Sequence, residues 1–256
     1  MKQAAIFNCQ DLDGWAQCYI DFLGPTYQCT VYDVFHHEYP TDDELADFDV
    51  FAITGSTSTA YVIDSPPDGF VTEFGSFTQK LMERVKASQS SNQKTQKLIG
   101  ICFGHQIIAH YCGGRTESKN SFTMGTDDIL LSEKAKTYRF VQKALDSVGE
   151  TDANFAQYKP RALKSHQDRV TVVPDDAIVL AGSDNSSHEL LVYGDYCLTS
   201  QFHPELTNET INKLLVPLHQ RTEPDFKLSE GSDFSQSEKD HLFFETLFRA
   251  FLSSSS

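Results

Sequence analysis

Residues Leu98-Ile99-Gly100-Ile101-Cys102-Phe103-Gly104-His105-Gln106 constrain this 256-residue chain more than any other stretch. An apolar strand runs into Gly-x-Cys-x-Gly and a helical pattern follows, which predicts a sharp strand-to-helix turn with Cys102 at its apex. A residue held there projects above a sheet within reach of a ligand. It also sits at a helix N-terminus, where free N–H groups and a partial positive charge suit an anionic sulfur or an oxyanion. The Phe103 N–H is the natural oxyanion donor. Cys9, Cys18, Cys29, Cys112 and Cys197 have no such setting and read as buried structural residues.

A strand feeding a helix is the repeating theme of the first half. Ala4–Asn8, Cys29–Val34 and Val50–Ile53 read as buried strands, and Lys97–Ile101 as another. Trp15–Leu23, Val71–Ser88 and Gln106–Cys112 carry apolar residues at helical spacing. The alternation predicts an α/β fold: a doubly wound, mostly parallel central sheet with helices on both faces. Later, Leu163–Ser165, Val170–Val173, Ile178–Ala181, Leu190–Tyr193 and Cys197–Gln201 are short strand-like runs between turn residues. They predict antiparallel hairpins beside the core and a smaller antiparallel sheet. Between Arg115 and Arg161 only Lys134–Val148 shows a pattern, with apolar residues at roughly helical spacing.

The whole chain, 1–256, is expected to form one domain. Ile211–Leu218 reads as a helix, 222–237 as a polar connector, and 238–252 as a C-terminal helix rich in Phe and Leu that docks on the core. Ser235 followed by Glu238 predicts a capping box for that helix.

Charge excludes several roles. With 21 Lys+Arg against 36 Asp+Glu the formal charge is −15, opposed to binding nucleic acid or an anionic membrane surface. No apolar run approaches the roughly 18–20 residues of a membrane span. The start of the chain, MKQAAIFNCQDLDGW, lacks the pattern of a signal peptide. Six cysteines with no CxxC pair point to neither a disulfide scaffold nor a zinc site. The expectation is a reduced, soluble, cytoplasmic protein.

A thiol nucleophile needs a base. Of nine histidines, His203 is the one with a companion: it follows a strand within Gln201-Phe202-His203-Pro204-Glu205. Pro204 biases His203 toward an extended conformation. Residues two apart then share a side, so Glu205 can accept the Nδ1 proton and leave Nε2 to act as base. His188, His219 and His241 show no companion that suggests chemistry.

Together the two segments resemble the class I glutamine amidotransferase-like family, from about Val50 to Glu205. GICFGHQIIAHYCGG is similar to that family's nucleophile segment and QFHPE to its histidine–glutamate segment. The resemblance implies Cys102 as nucleophile, His203 as base, Glu205 as its orienter, and Gln106 as a residue holding the glutamyl group. It implies a second oxyanion donor after an early strand, here Gly55 or Ser56, although the usual Gly-Gly-Pro is missing. TGSTSTAYVID, the run Ser165-His166-Gln167-Asp168-Arg169-Val170 and the aromatic last helix look closest to stand-alone γ-glutamyl peptidases. His166 would help shape the substrate site.

The implied activity is hydrolysis of a γ-glutamyl amide (a γ-glutamyl peptide, a glutathione conjugate or glutamine) through a thioester, with no metal or organic cofactor. The alternatives are a glutaminase subunit that delivers ammonia to a separate synthase partner, and a non-catalytic member that binds a metabolite or protein.

Overall fold

The computed structural model describes residues 1–61, 69–90, 94–151, 154–222 and 234–254. In chain order the elements are β1 (Lys2–Phe7), α1 (Trp15–Leu23), β2 (Tyr27–Tyr32), α2 (Asp42–Asp47), β3 (Val50–Ile53), α3 (Phe70–Ser88), β4 (Lys97–Ile101) and α4 (Phe103–Tyr111). There follow β5 (Arg115–Asp128), β6 (Leu130–Leu131), α5 (Arg139–Ser147), β7 (Arg161–Val172), β8 (Ala177–Gly182), β9 (Leu190–Tyr193) and β10 (Cys197–Ser200). The chain continues with α6 (Asn208–Thr210), a π turn at Ile211–Leu215, α7 (Val216–Thr222) and α8 (Glu238–Ser253).

An eight-stranded sheet has the order β2-β1-β3-β4-β10-β9-β8-β6, and β5 pairs with β7 in a separate antiparallel sheet. The pairs from β2 across to β10 are parallel; β9, β8 and β6 continue the sheet antiparallel. The central strands are unbroken apolar runs because both faces are covered. Along β1, Ala4 and Ile6 face one core and Ala5 and Phe7 the other, the two-residue period of a strand. Helices α1, α5 and α8 fill the first face, with Phe22 meeting Phe248 edge-on at 5.7 Å; α3 and α4 fill the second.

Three parallel neighbours, β3, β4 and β10, lie in register, with Ile53 opposite Gly100 and Ile101 opposite Ser200. Their carboxyl ends therefore open at one rim, where ligands gather in open α/β sheets. Helix α4 lies close on these strands. A Cβ on Gly104 would come within 2.5 Å of the Ile53 carbonyl oxygen, and one on Gly100 within 2.8 Å of the Gly104 backbone. The two glycines thus serve backbone-to-backbone packing as much as the sharpness of the turn. At the other end of β4, buried Lys97 donates to the Phe251 carbonyl at 2.7 Å and to Ser254 Oγ at 2.6 Å, tying that strand to the end of α8.

Several expectations need correction. The runs Leu163–Ser165 and Val170–Val173 belong to one long strand, β7. Its partner β5 lies where no element is predicted. The hairpins β8–β9–β10 extend the main sheet, and the smaller sheet is β5–β7. The helix expected over Lys134–Val148 divides into a tight turn at Glu133–Thr137 and α5. Ser237, not Ser235, caps α8 by accepting from the Asp240 N–H at 3.1 Å. Most of the expected connector, 223–233, lies outside the described residues. No helix among the described residues is long and apolar enough to cross a membrane.

Candidate active site

Cys102 stands between β4 and α4 with φ 54° and ψ −104°, one of two non-glycine residues of positive φ among those described. Its N–H is anchored to the Ser200 carbonyl on β10 at 2.8 Å. The thiol is buried, donates to the Ser165 carbonyl at 3.6 Å and accepts from Gln201 Nε2 at 3.8 Å. As the first helical residue, Phe103 has an N–H with no intrahelical acceptor.

His203 lies just beyond β10, its N–H bonded to the Leu163 carbonyl at 2.9 Å. Nδ1 is 2.7 Å from Glu205 Oε1, and both side chains are buried. The carboxylate can only accept, so Nδ1 carries a proton. Nε2 is buried without a hydrogen-bond partner. Burial alone would lower the ring's pKa, but the Glu205 carboxylate and the Cys102 sulfur together raise it above the ordinary histidine value.

Gly55 joins these two segments. A Cβ built on it would meet Trp15 Cζ2 at 3.1 Å, His203 Cε1 at 3.2 Å and Cys102 Cβ at 3.5 Å. Cys102 and His203 therefore both border one point on the loop after β3, where a side chain beyond hydrogen would press on them. The Gly55 N–H already donates to the Tyr19 hydroxyl at 2.8 Å. Ser56 uses its hydroxyl to accept from the Ser58 N–H at 3.0 Å, while its own N–H has no acceptor among the described residues. Of the two expected oxyanion donors, Ser56 is thus the one with a free amide.

A cavity of about 170 Å³ opens over Cys102 and His203, and Ser56, Gln106 and His166 are on its wall. The Gln106 amide nitrogen donates to the Asp168 carbonyl at 2.9 Å and to Gln201 Oε1 at 3.1 Å, so it is committed within the protein. His166 donates from Nδ1 to the Asp168 carbonyl at 2.9 Å. Burial, helped by the positive charge of Lys164, pushes its pKa down to about 3, so the ring is neutral and its unpartnered Nε2 is an acceptor. Among the described residues no group of three or more His, Cys, Asp or Glu is placed to hold a metal ion.

Sequence reasoning misses other parts of the wall. His219, set aside for want of a companion, has Nε2 3.0 Å from Ser165 Oγ and packs on Phe122 at 4.5 Å between centroids. Trp15 reads from spacing as a core residue, yet it lines the cavity and meets the His203 ring edge-on at 6.0 Å. A lone tryptophan one turn before Tyr19 was the available signal. The remaining histidines are structural or peripheral: His105 is buried against Thr199 Oγ1 at 2.8 Å, and His36 and His37 pair on the surface with Asp33 and Glu73.

Comparison with known proteins is consistent across sequence and fold. The sequence profile described as glutamine amidotransferase class-I matches residues 43–217. γ-Glutamyl peptidase 5 of Arabidopsis thaliana is 29% identical over 88% of this chain and 81% of its own length. A glutamine-hydrolyzing GMP synthase subunit of Methanococcoides burtonii is 29% identical over 63% of this chain and 77% of its own. The crystal structure of a glutamine amidotransferase from Thermotoga maritima superposes with a TM-score of 0.72, covering 99% of each chain at 16% identity, and so shares the fold.

Proposed function

The chain belongs to the class-I glutamine amidotransferase family, and from that premise we propose that it hydrolyses γ-glutamyl amides through a thioester on Cys102. The observation that supports this reading is that Cys102 and His203 both border the same side of Gly55, with the imidazole's Nε2 unclaimed by any other group. The Cys102 thiol passes its proton to His203 Nε2 as the sulfur attacks the γ-carbonyl carbon, and the negative charge that develops on oxygen is taken up by the Phe103 and Ser56 N–H groups. His203 gives its Nε2 proton to the amide nitrogen as the C–N bond breaks, releasing the amine. Water then loses a proton to His203 and attacks the thioester; the C–S bond breaks, and His203 returns that proton to the sulfur, freeing glutamate and the thiol. Glu205 keeps the ring in the tautomer that performs both transfers. Gln106 and His166 form the wall that would face the glutamyl head, with His166 Nε2 offering an acceptor to its ammonium group.

The long match to γ-glutamyl peptidases supports a stand-alone hydrolase acting on γ-glutamyl peptides. The similarity to the Methanococcoides burtonii GMP synthase chain supports a second reading, a glutaminase that hands ammonia to a synthase partner. Assaying the purified chain with glutamine and with γ-glutamyl dipeptides decides between them. Amine release from dipeptides without any partner is expected. Activity confined to glutamine and dependent on an added synthase would favour the ammonia-delivering reading.

Two further outcomes follow from the geometry. Gly55→Ala is expected to lower kcat about tenfold with little loss of thermal stability, because a methyl group at 3.1–3.5 Å from three site residues forces them apart by tenths of an ångström. Steady-state kinetics alongside a melting curve would check this. The second concerns pH. His203 keeps its proton below its raised pKa and loses it as pH rises through that value, so kcat/KM should decline on the alkaline side. Glu205→Gln removes the carboxylate that holds the pKa up and should move that decline to lower pH. An alkaline limb that stays in place would show that another group governs it.

A further inference from the structure

We propose that Trp15 and Tyr19 form a brace that sets the direction of the Ser56 N–H; the inference rests on the thioester reading, in which that amide receives the oxyanion. The two residues are one turn apart on the buried face of α1, their rings edge-on at 5.9 Å. Trp15 Nε1–H donates to the Gly55 carbonyl at 3.0 Å, and the Tyr19 hydroxyl accepts from the Gly55 N–H at 2.8 Å. One helix therefore holds both polar groups of a single glycine that belongs to no helix or strand.

The consequence reaches Ser56 through covalent geometry. The Gly55 carbonyl and the Ser56 N–H share one peptide plane, and a planar trans peptide points them in opposite directions. Drawing the carbonyl toward Trp15 turns the Ser56 N–H away from α1. Glycine imposes little resistance to a peptide flip, and a flipped plane would present a carbonyl oxygen to the growing negative charge in place of a donor. The brace blocks that flip. Further along, Gln10 Oε1 accepts from the Thr57 N–H at 2.7 Å, so the loop is held on both sides of the Ser56 amide. Trp15 also contacts the His203 ring, and the Tyr19 hydroxyl lies in the field of the Glu205 carboxylate. Helix α1 thus fixes the oxyanion loop relative to the base. Trp15 and Tyr19 are positioning residues, since they act through the peptide they hold.

The test uses the full chain with Trp15→Phe and, separately, Tyr19→Phe, which keeps the ring and removes only the acceptor. Three quantities are compared with wild type: kcat and KM for a γ-glutamyl dipeptide, inhibition by a γ-glutamyl aldehyde that forms a tetrahedral adduct on the thiol, and the pH-dependent rate of Cys102 alkylation by iodoacetamide. Alkylation needs no oxyanion donor. The expected result is a fall in kcat of about 10–100-fold, KM nearly unchanged, aldehyde affinity lost in parallel, and alkylation unaltered. Wild-type turnover in both variants overturns the brace, and so does a loss of turnover matched by an equal loss of alkylation, which would locate the damage in the Cys102–His203 pair. If Trp15→Phe does not fold, Tyr19→Phe decides alone. A wild-type chain that cleaves no γ-glutamyl amide instead overturns the functional reading, and the brace with it.

Discussion

Cys102→Ala is expected to reduce γ-glutamyl amide turnover by about 10⁴-fold or more, with the melting temperature almost unchanged. The size of the loss follows from the absence of any substitute thiol. Burial pushes Cys112 up to about 11 and Cys18 up to about 12, and it raises Cys9, Cys29 and Cys197 as well. None of these five lines the cavity. Stability should survive because the Cys102 sulfur makes only two long hydrogen bonds, at 3.6 and 3.8 Å. Amine release over an extended incubation measures the residue that remains. A variant within tenfold of wild type would mean that another group attacks the carbonyl.

The largest stability effect is expected at Lys164→Met. Lys164 and Glu189 are fully buried and 2.6 Å apart, and the same ammonium reaches Asp127 Oδ2 and Ser183 Oγ, each at 2.8 Å. Removing the cation leaves a carboxylate sealed from water, a loss of about 3–5 kcal/mol. The ion pair links β7 to the turn before β9, so it fastens the small sheet bearing Ser165 and His166 to the main one. Urea unfolding of Lys164→Met should show that loss, whereas the double variant with Glu189→Gln should regain much of it because no unpaired charge remains. Equal stability of single and double variants would show that Glu189 is not held as an anion.

The parts of the fold legible in the sequence are those fixed by local pattern. Trp15–Leu23 shows its apolar face at helical spacing, and β3 is four consecutive apolar residues because it is covered on both sides. Cys102 and His203 were legible because each depends on neighbours in sequence, glycines in one case and Pro204 with Glu205 in the other. The strand β5 was not. Its residues, RTESKNSFTMGTDD, lack a clean two-residue alternation, and what makes them extended is pairing with β7 about forty positions later, with a break in register between Ser118 and Thr123. His219 was hidden for a related reason, since Ser165 and Phe122 become its neighbours only in the folded chain. The indole N–H of Trp15 was masked by its own ring, whose place in the helical pattern already accounted for its burial.

The backbone of Cys102 carries a consequence of its own. A side chain at φ 54° is disfavoured by about 1–3 kcal/mol, and glycine alone would relieve that. A thiol held at this corner therefore costs the fold stability that a glycine there, between Gly100 and Gly104, would not cost. Placing glycine at this one corner would spare the folded chain that conformational penalty and forfeit the sulfur.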